Sequence, residues 1–480
     1  MEVAQLPVLH VEARIKSSRD GIIVRTDLIR DEIIKWIVDR FVVLSLGQEI
    51  NSFEGLKEPH AQAIESIIVT DCIGGNKESG AYRLPQVELD VQVYQLRTAS
   101  EQEGSQPTQQ LEESTDGEED SAKERVLMLP NKELDGLWES LRFDEPIPTQ
   151  LLHAISRMGQ SSRFTAYGGG LVNRHHSLVL FTQPKQMGHQ LEQTNSSMGP
   201  SGDRKDQSMS SRGLSQKLAI RLGKQYPKSK LIEINAPALA SKFFGESSKL
   251  VAKAFENIEA LLEEEDDTFV CVFVDEVETL AARRDRALSG NEPFDAVRAV
   301  NALLTGLDRL RRHPNVVTLC TSNIVTALDQ AFLDRVDIKQ YIPHLSNRAI
   351  YGIYKECLEE LSRHGIIRGA TFDVVQVDPT DPQTALQYVD QCAESLELPT
   401  FEEMHLNYQT FPHAVPRQLA DVALDSVGLS GRTIRRLPAL SLVLHSNRCG
   451  APLVRDAIHA LRTAIASERQ AKAESHTDGK

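Results

Sequence analysis

Apolar and polar positions follow two different periods along the chain, and each period predicts a different kind of element. Between residues 213 and 345, short apolar runs alternate with segments whose apolar side chains recur every three or four positions. The runs predict buried strands, and the stripes predict helices that pack on them. Such alternation indicates right-handed crossovers and a parallel sheet with helices on both faces. The predicted strands are KLIEIN, FVCVFV, NVVTLC and IKQYI, and the clearest stripe is SSKLVAKAFENIEALL.

The first 97 residues combine both periods. HVEARI and VELDVQV alternate apolar and polar positions, which predicts half-buried strands. The segment TDLIRDEIIKWIVDRF predicts a helix with Thr26 as its N-cap. Its apolar face consists of Ile29, Ile33, Trp36 and Ile37. We therefore expect a mixed α/β domain over residues 1–97.

Two polar segments without aromatic side chains interrupt these patterns. Residues 98–125 are acidic, and residues 182–212 are rich in Gln, Ser and Gly. Neither segment can bury enough apolar surface to offset the entropy lost on ordering, so both are predicted to lack regular structure. The chain then divides into the N-terminal domain, a large α/β domain over residues 126–345 and a helical C-terminal domain over residues 346–480.

Composition narrows the class of protein. A length of 480 residues predicts two or three domains, and 40% hydrophobic with 25% charged residues is typical of globular soluble proteins. No apolar run approaches the about 18 residues that a membrane span needs, and the N-terminus lacks the pattern of a secretory signal. The six scattered cysteines indicate reduced thiols in cytosol or nucleus. A net charge of −15 argues against broad binding to nucleic acid.

Polar residues follow two of the predicted strands at their carboxyl ends, where parallel sheets bind ligands. Asp275 and Glu276 come directly after FVCVFV. They either cap the next helix or form a Walker B pair, in which the first carboxylate serves Mg²⁺ and the second orients a water against a γ-phosphate. Asn323 follows NVVTLC, either as a turn residue or as a polar sensor that orients the attacking water beside Glu276.

Two arginines also allow either a structural or a functional interpretation. Arg335 lies between Asp334 and Asp337, either in a surface ion pair or as an arginine finger that reaches the nucleotide of a neighbouring subunit. Arg432 lies in GLSGRTIRRLP, at the start of a predicted basic helix. There it either belongs to a capped, solvated helix or contacts phosphate oxygens. The residues alone leave both alternatives open.

The order of these segments is more specific than any one of them. It resembles the pachytene checkpoint protein 2 family, which are AAA+ ATPases that remodel HORMA-domain proteins, over most of residues 214–448. The segments that carry the resemblance are LIEINAPALASKFFGESSKLV, VDEVETLAARRD, EPFDAVRAVNALLTGLDRL, TSNIVTALDQAFLDRVDIKQYI and GLSGRTIRRLP. The resemblance implies an α/β fold with an AAA+ parallel-sheet core, a helical C-terminal lid and an N-terminal substrate-adaptor domain.

Function follows from the same resemblance. It implies ATP and Mg²⁺ as cofactors, assembly as a homohexamer, and HORMA-domain proteins as substrates, directly or through an adaptor, without direct contact to nucleic acid or membrane. The expected settings are meiotic recombination and checkpoint control and the spindle checkpoint, in the nucleus on chromosomes and in the cytoplasm.

The resemblance also assigns roles to single residues. Asp275 would serve Mg²⁺, Glu276 would polarise the water, Asn323 would orient it, Arg335 would act in trans and Arg432 would sense phosphate.

The segment SKFFGES occupies the place of the first pore loop in hexameric AAA+ motors. Phe243 and Phe244 would grip an extended peptide there, and Gly245 would allow a tight turn. The alternative is a pair of core aromatic side chains at the start of a helix.

One family motif is missing. The family places a phosphate-binding loop, G-x-x-x-x-G-K-[ST], between the strand HSLVLF and the helix that resumes at GLSQKLAIRL. Residues 182–212 do not contain it, and no helix start is predicted directly behind the glycines of MGPSGDRKDQS. Two explanations stay open: a degenerate, non-hydrolysing scaffold subunit, or a gene model that skipped an exon and read intronic sequence. Sequencing the transcript across codons 178–216 would separate them.

Overall fold

A computed structural model describes most of the chain and divides it into two compact units. The first unit contains Met1–Trp138, Ile147–Gly188 and Gln207–Ile342, and the second contains Glu139–Pro146, His189–Asp206 and Pro343–Lys480. Within the described residues, no helix is both long and apolar enough to cross a membrane. The described residues are 6–16, 25–75, 80–98, 124–142, 144, 146–161, 176–181, 203–241, 247–282, 293–376, 386–445 and 450–477.

The N-terminal part of the first unit is a mixed α/β domain, as predicted. Its elements are β1 (Val8–Ile15), α1 (Thr26–Arg40), β2 (Val43–Ser45), β3 (Glu49–Ile50), α2 (Glu58–Ala63), β4 (Ile64–Ile73), β5 (Ala81–Arg83) and β6 (Glu88–Gln95). Four strands form a sheet in the order β3-β4-β1-β6, and β2 pairs with β5. The predicted apolar face of α1 is buried in the core of this domain. Thr26 is the first helical residue, so Arg25 and not Thr26 is the N-cap, and the prediction was wrong by one position.

The larger sheet of the first unit has six strands. They are β7 (Glu124–Leu129), β8 (His176–Phe181), β9 (Lys228–Asn235), β10 (Thr268–Asp275), β11 (Val316–Ser322) and β12 (Ile338–Tyr341). Their order is β12-β8-β11-β10-β9-β7, and every neighbouring pair is parallel except β7 with β9. The predicted parallel sheet is therefore confirmed. The acidic segment was predicted to be irregular through Arg125, but Glu124 and Arg125 already belong to β7; residues 99–123 lie outside the described residues.

The helices that lie between the strands of this sheet along the chain are α3 (Ile147–Ser161), α4 (Asp203–Leu222), α5 (Ala236–Ser241), α6 (Ser247–Glu264), α7 (Pro293–Leu310) and α8 (Gln330–Leu333). The sheet shares a buried apolar core with several of them. The predicted stripe of α6 is confirmed, because its buried residues are Val251, Ala254, Phe255, Ile258 and Leu262. Gly306 of α7 lies against the ring of Phe255, so close that an added Cβ would lie 2.3 Å from the ring. The two helices pack at this glycine.

Helix α4 contradicts part of the prediction for residues 182–212. It begins at Asp203, directly behind Gly202, so residues 203–212 are helical, and the expected absence of a helix start there was wrong. The reason is chemical, because serines occupy buried positions of this helix. Ser208, Ser211 and Ser215 are all at least nine-tenths buried, in line with Leu218. Small polar side chains at a core face leave no apolar stripe for a hydropathy pattern to detect. Residues 182–202 lie outside the described residues.

The second unit is mainly helical but also contains two strands. Its elements are α9 (Asn347–Arg363), β13 (Gly369–Gln376), β14 (Leu386–Ala393), α10 (Phe401–Glu403), α11 (Val415–Asp425), α12 (Gly431–His445) and α13 (Val454–Thr477). The helices share one apolar core. The predicted helical lid also contains the antiparallel pair β13–β14, which the sequence analysis did not identify. The pair is anchored because Phe372 is buried and its carbonyl oxygen accepts a hydrogen bond from the Tyr408 hydroxyl at 2.7 Å.

Candidate functional site

The carboxyl ends of the parallel strands meet along one edge of the larger sheet. Asp275 pairs with Asn235 across β10 and β9, and Ser322 pairs with Phe181 across β11 and β8. Asn323 follows Ser322, so Asp275 and Asn323 lie at the same edge on neighbouring strands, as predicted. The chain also leaves β8 at this edge, at Phe181. The segment expected to hold phosphate therefore starts beside the polar residues.

Thr321 connects the two predicted carboxylate positions. Its hydroxyl donates a hydrogen bond to Oδ1 of Asp275 and accepts one from the backbone N–H of Glu276 at 3.2 Å. The residue is 1% exposed, so water does not compete for these bonds. The sequence analysis used only Asn323 from the segment TSN and missed Thr321. The available signal was its spacing, because residues two apart in a strand point to the same face.

Glu276 has an unusual backbone. Its φ of 53° and ψ of 48° are left-handed, and it is the one non-glycine residue with positive φ among those described. Such a conformation costs about 1–2 kcal/mol, and it persists only where surrounding bonds hold it. Here the N–H is bonded to Thr321, and the carbonyl oxygen accepts from the N–H of Thr279 at 3.0 Å. The left-handed turn at Glu276 therefore ends β10 sharply, directly after Asp275.

The surroundings of Asp275 fit a hard cation. Burial raises the pKa of Asp275 above its usual range; the hydrogen bond from Thr321 and the charge of Arg212 act in the opposite direction, and the charge of Glu276 raises the pKa further. A cation would remove the cost of a buried, ionised carboxylate. Among the described residues, no group of three or more His, Cys, Asp and Glu side chains could hold a metal ion. Mg²⁺ at Asp275 would therefore keep waters and ligand oxygens in its shell, as it commonly does beside nucleotides.

Asn323 is bonded to a carboxylate that the sequence analysis did not consider. Oε1 of Glu278 accepts from the backbone N–H of Asn323 at 3.2 Å and from its Nδ2 at 3.1 Å. Glu278 lies in the 3-10 turn Val277–Thr279, which follows Glu276. The amide of Asn323 is thus held by Glu278, and its predicted role of orienting the water beside Glu276 stays a prediction.

Arg335 lies at the opposite edge of the sheet. Its carbonyl oxygen accepts from the hydroxyl of Ser177, near the amino end of β8, at 2.6 Å. Its Nε and Nη2 donate to the carboxylate of Asp308 at 2.8–3.1 Å. From Ser177 to Phe181 the strand extends about 13 Å. Arg335 is therefore not brought together with Asp275 of its own chain.

The other predicted residues are placed separately. Arg432 belongs to the second unit, where its side chain is exposed in the first turn of α12. The Ser430 hydroxyl accepts from the N–H of Thr433 at 3.2 Å, which caps that helix as the Gly-Leu-Ser-Gly turn suggests. Phe243, Phe244 and Gly245 lie outside the described residues, between the ends of α5 and α6.

Comparison with known proteins identifies the family. Three family models match successive parts of the chain: the TRIP13 N-terminal domain at residues 4–99, the AAA ATPase family at 212–344 and the TRIP13-like AAA+ ATPase lid C-terminal domain at 346–469. The chain is 33% identical to a pachytene checkpoint protein 2 homolog of Danio rerio, over 97% of this chain and 95% of that protein. The chain belongs to the TRIP13/PCH2 family of AAA+ ATPases.

A second relative agrees with this assignment, and a solved structure agrees with the fold. A pachytene checkpoint protein 2 homolog of Arabidopsis thaliana is 38% identical over 75% of this chain and 68% of that protein. The solved structure of C. elegans PCH-2 has the same fold, with a TM-score of 0.61, 24% identity and coverage of 96% of this chain and 99% of that one. The AAA match begins at residue 212, the last residue of the segment that lacks the phosphate-binding motif. The resemblance found in the sequence is confirmed, and with it the AAA+ core, the lid domain and the N-terminal domain.

Proposed function

We propose that the native form of this TRIP13/PCH2 family member, with a complete phosphate-binding loop, forms a homohexameric ring that binds ATP with Mg²⁺ and remodels HORMA-domain proteins in meiotic and spindle checkpoint control, in nucleus and cytoplasm. The observation that carries the proposal is the arrangement at the edge of the sheet, where Thr321 holds Asp275 and orders the turn at Glu276. A structural cap would need no buried hydroxyl between two carboxylate positions and no left-handed glutamate.

Each side chain at this edge has a role in hydrolysis. ATP bound with Mg²⁺ supplies the phosphoanhydride bond that water cleaves. Asp275 is suited to the metal's water shell because it is a buried carboxylate that needs a cation. Glu276 polarises the attacking water by accepting its hydrogen bond, and Asn323 orients that water. Arg335, at the opposite edge of its own sheet, would act at the site of a neighbouring subunit.

The phosphate-binding loop is the part of the site that this sequence lacks. Residues 182–202 connect β8 to α4 and lack the Gly-rich Lys-Ser/Thr motif. The N-terminus of α4 follows this segment directly, and the first N–H groups and the dipole of a helix favour phosphate binding. What the chain as printed lacks is the flexible glycine backbone and the lysine charge, so its ATP turnover is expected to be negligible.

Two proteins test the proposal: the printed chain, and the full chain in which G-x-x-x-x-G-K-T replaces the end of residues 182–202 (the loop-restored chain). The loop-restored chain should bind ATP and hydrolyse it, and Glu276→Gln should abolish turnover while keeping binding. In the printed chain, Glu276→Gln should change the residual rate little. Failure of the loop-restored chain to bind ATP would refute the proposed site. Robust turnover by the printed chain would mean that phosphate binds elsewhere.

Substrate remodelling has a separate test at the predicted pore loop. In the loop-restored chain, Phe244→Ala should hydrolyse ATP and keep its melting temperature within a few degrees, but it should fail to convert a HORMA-domain substrate. A large loss of stability would indicate a core aromatic, for which about 3–5 kcal/mol is typical. Unchanged conversion would remove Phe244 from the mechanism.

A further inference from the structure

We propose that Glu278 is a positioning residue for ATP hydrolysis, which fixes the side-chain amide of Asn323 toward the attacking water. The inference rests on the proposed function, because it assigns Asn323 a role in hydrolysis. Glu278 was not among the residues predicted from the sequence. It lies three residues after Asp275, in the turn that Glu276 opens.

The contact determines which way the amide of Asn323 faces. Both hydrogen bonds end on the same oxygen, Oε1 of Glu278, one from the backbone and one from Nδ2. An ionised carboxylate only accepts, so the nitrogen and not the carbonyl oxygen of the amide must face Glu278. Oδ1 of Asn323 is then directed away from Glu278. It is an acceptor for a proton of the attacking water, whose other proton is bonded to Glu276.

The second carboxylate oxygen of Glu278 supports a functional role for this residue. Oε2 is buried and has no hydrogen-bond partner among the described residues. A buried acceptor without a partner destabilises a protein, and such groups deserve an explanation beyond stability. A glutamate retained here is explained if its geometry serves Asn323.

Thr321 and Glu278 both connect the turn after β10 with the end of β11. Thr321 fixes Asp275 and the N–H of Glu276, and Glu278 fixes Asn323, which lies two residues after Thr321 on the same strand end. The turn after β10 and the end of β11 are therefore bonded to each other on both sides of the predicted water position. Loss of Glu278 would free the amide of Asn323 to rotate while leaving Asp275 and Glu276 in place.

A double-mutant cycle in the loop-restored chain tests the inference. Glu278→Ala and Asn323→Ala should each lower kcat about tenfold with little change in KM, and the double variant should be no slower than the slower single variant. Non-additivity is expected because each change removes the same oriented amide. Glu278→Gln keeps an acceptor oxygen and should stay within about threefold of the parent. Glu256→Ala, which removes an exposed glutamate paired with Arg309, is the matched control and should leave kcat unchanged.

A second cycle needs no turnover and uses the printed chain. Glu278→Ala and Asn323→Ala should each lower the melting temperature by about 2–4 °C, and the double variant should fall no further than about 1 °C below the lower single variant. Additive effects in both cycles would overturn the inference, as would an inactive Glu278→Gln with full stability. If the loop-restored chain does not hydrolyse ATP, the proposed function fails, and the melting cycle still decides whether Glu278 holds Asn323.

Discussion

Replacing Asp71 by asparagine probes the polar interface between the N-terminal sheet and helix α4. Oδ1 of Asp71, on β4, accepts from Nη2 of Arg221 at 2.6 Å, and Oδ2 is bonded to Nε2 of His153. The side chains of Arg221 and Asp71 are only 4% and 12% exposed. A second buried pair, Lys217 with Glu12 at 2.7 Å, lies one helical turn away. Two buried ion pairs therefore connect β1 and β4 of the N-terminal sheet with helix α4.

The expected magnitude follows from burial. Removing one partner of a buried ion pair leaves the other charge uncompensated and typically costs about 3–5 kcal/mol. Asp71→Asn should therefore lower the free energy of unfolding of the first unit by that amount at pH 7. Asp135→Asn is the matched control, because Asp135 pairs with Arg14 at 3.0 Å but is 41% exposed. Its cost should stay below about 1 kcal/mol.

The pH dependence gives a second check. Burial alone would raise the pKa of Asp71, but the hydrogen bond with His153 and the charge of Arg221 lower it well below the usual range. A carboxyl whose folded-state pKa is lowered adds stability that is fully present above its unfolded pKa of about 3.9, and that is lost as the pH falls toward the folded value. The difference between parent and Asp71→Asn should shrink as the pH falls below about pH 4.

Urea unfolding followed by tryptophan fluorescence measures both quantities. Both tryptophans, Trp36 and Trp138, lie in the first unit, so their fluorescence reports the unfolding of that unit. Trp138 lies against helix α4, because an added Cβ at Gly213 would lie 3.3 Å from the backbone nitrogen of Trp138. A cost for Asp71→Asn no larger than that of Asp135→Asn would refute the buried pair. A difference that does not shrink between about pH 4 and pH 2 would refute the lowered pKa.

Three further changes test other parts of the structure. Thr321→Val removes the hydroxyl bonded to Asp275 and should lower the free energy of unfolding in urea by about 2 kcal/mol. Thr321→Ser keeps the hydroxyl and should keep most of the stability. An equal loss of stability in both variants would contradict the hydrogen bond. Gly306→Ala should lower the free energy of unfolding by about 1–3 kcal/mol, because the ring of Phe255 leaves no room for a methyl group. Gly352→Ala in α9, where no atom lies within 4 Å of the added Cβ, should raise it by up to about 1 kcal/mol. A change of the same sign in both variants would be inconsistent with the packing. In the loop-restored chain, subunits with Arg335→Ala and subunits with Glu276→Gln should each be inactive alone and regain part of the ATP turnover when mixed, and no recovery would exclude a role of Arg335 in trans.

The core of the fold could be predicted from the sequence because buried strands and packed helices impose their period on it. FVCVFV is buried on both faces of the sheet, so each of its positions had to be apolar. The edge at which Asp275 and Asn323 meet was predictable for a related reason: parallel strands end at the same side of a sheet. Family motifs in the right order then indicated the lid and the N-terminal domain, which the family models confirm.

Elements without a hydropathy period were decided by tertiary contacts. The first turns of α4 bury serines, which no apolar pattern marks; Ser215 satisfies its hydroxyl by donating to the carbonyl oxygen of Ser211 at 2.8 Å. The strand β7 continues an acidic segment and is ordered by pairing with β9. In both cases the neighbouring element supplies the burial and the hydrogen bonds that the local sequence does not announce.

The partners of single polar side chains were decided by the folded chain alone. Asp275 and Glu276 are adjacent in sequence, but Thr321, which orders both, lies on another strand. Asn323 bonds to Glu278, which the sequence analysis did not single out. A hydrogen bond depends on distance and angle to within a fraction of an ångström. Sequence spacing places a residue on a strand end but does not determine rotamers or the approach of a second strand, so these pairings follow only from packing.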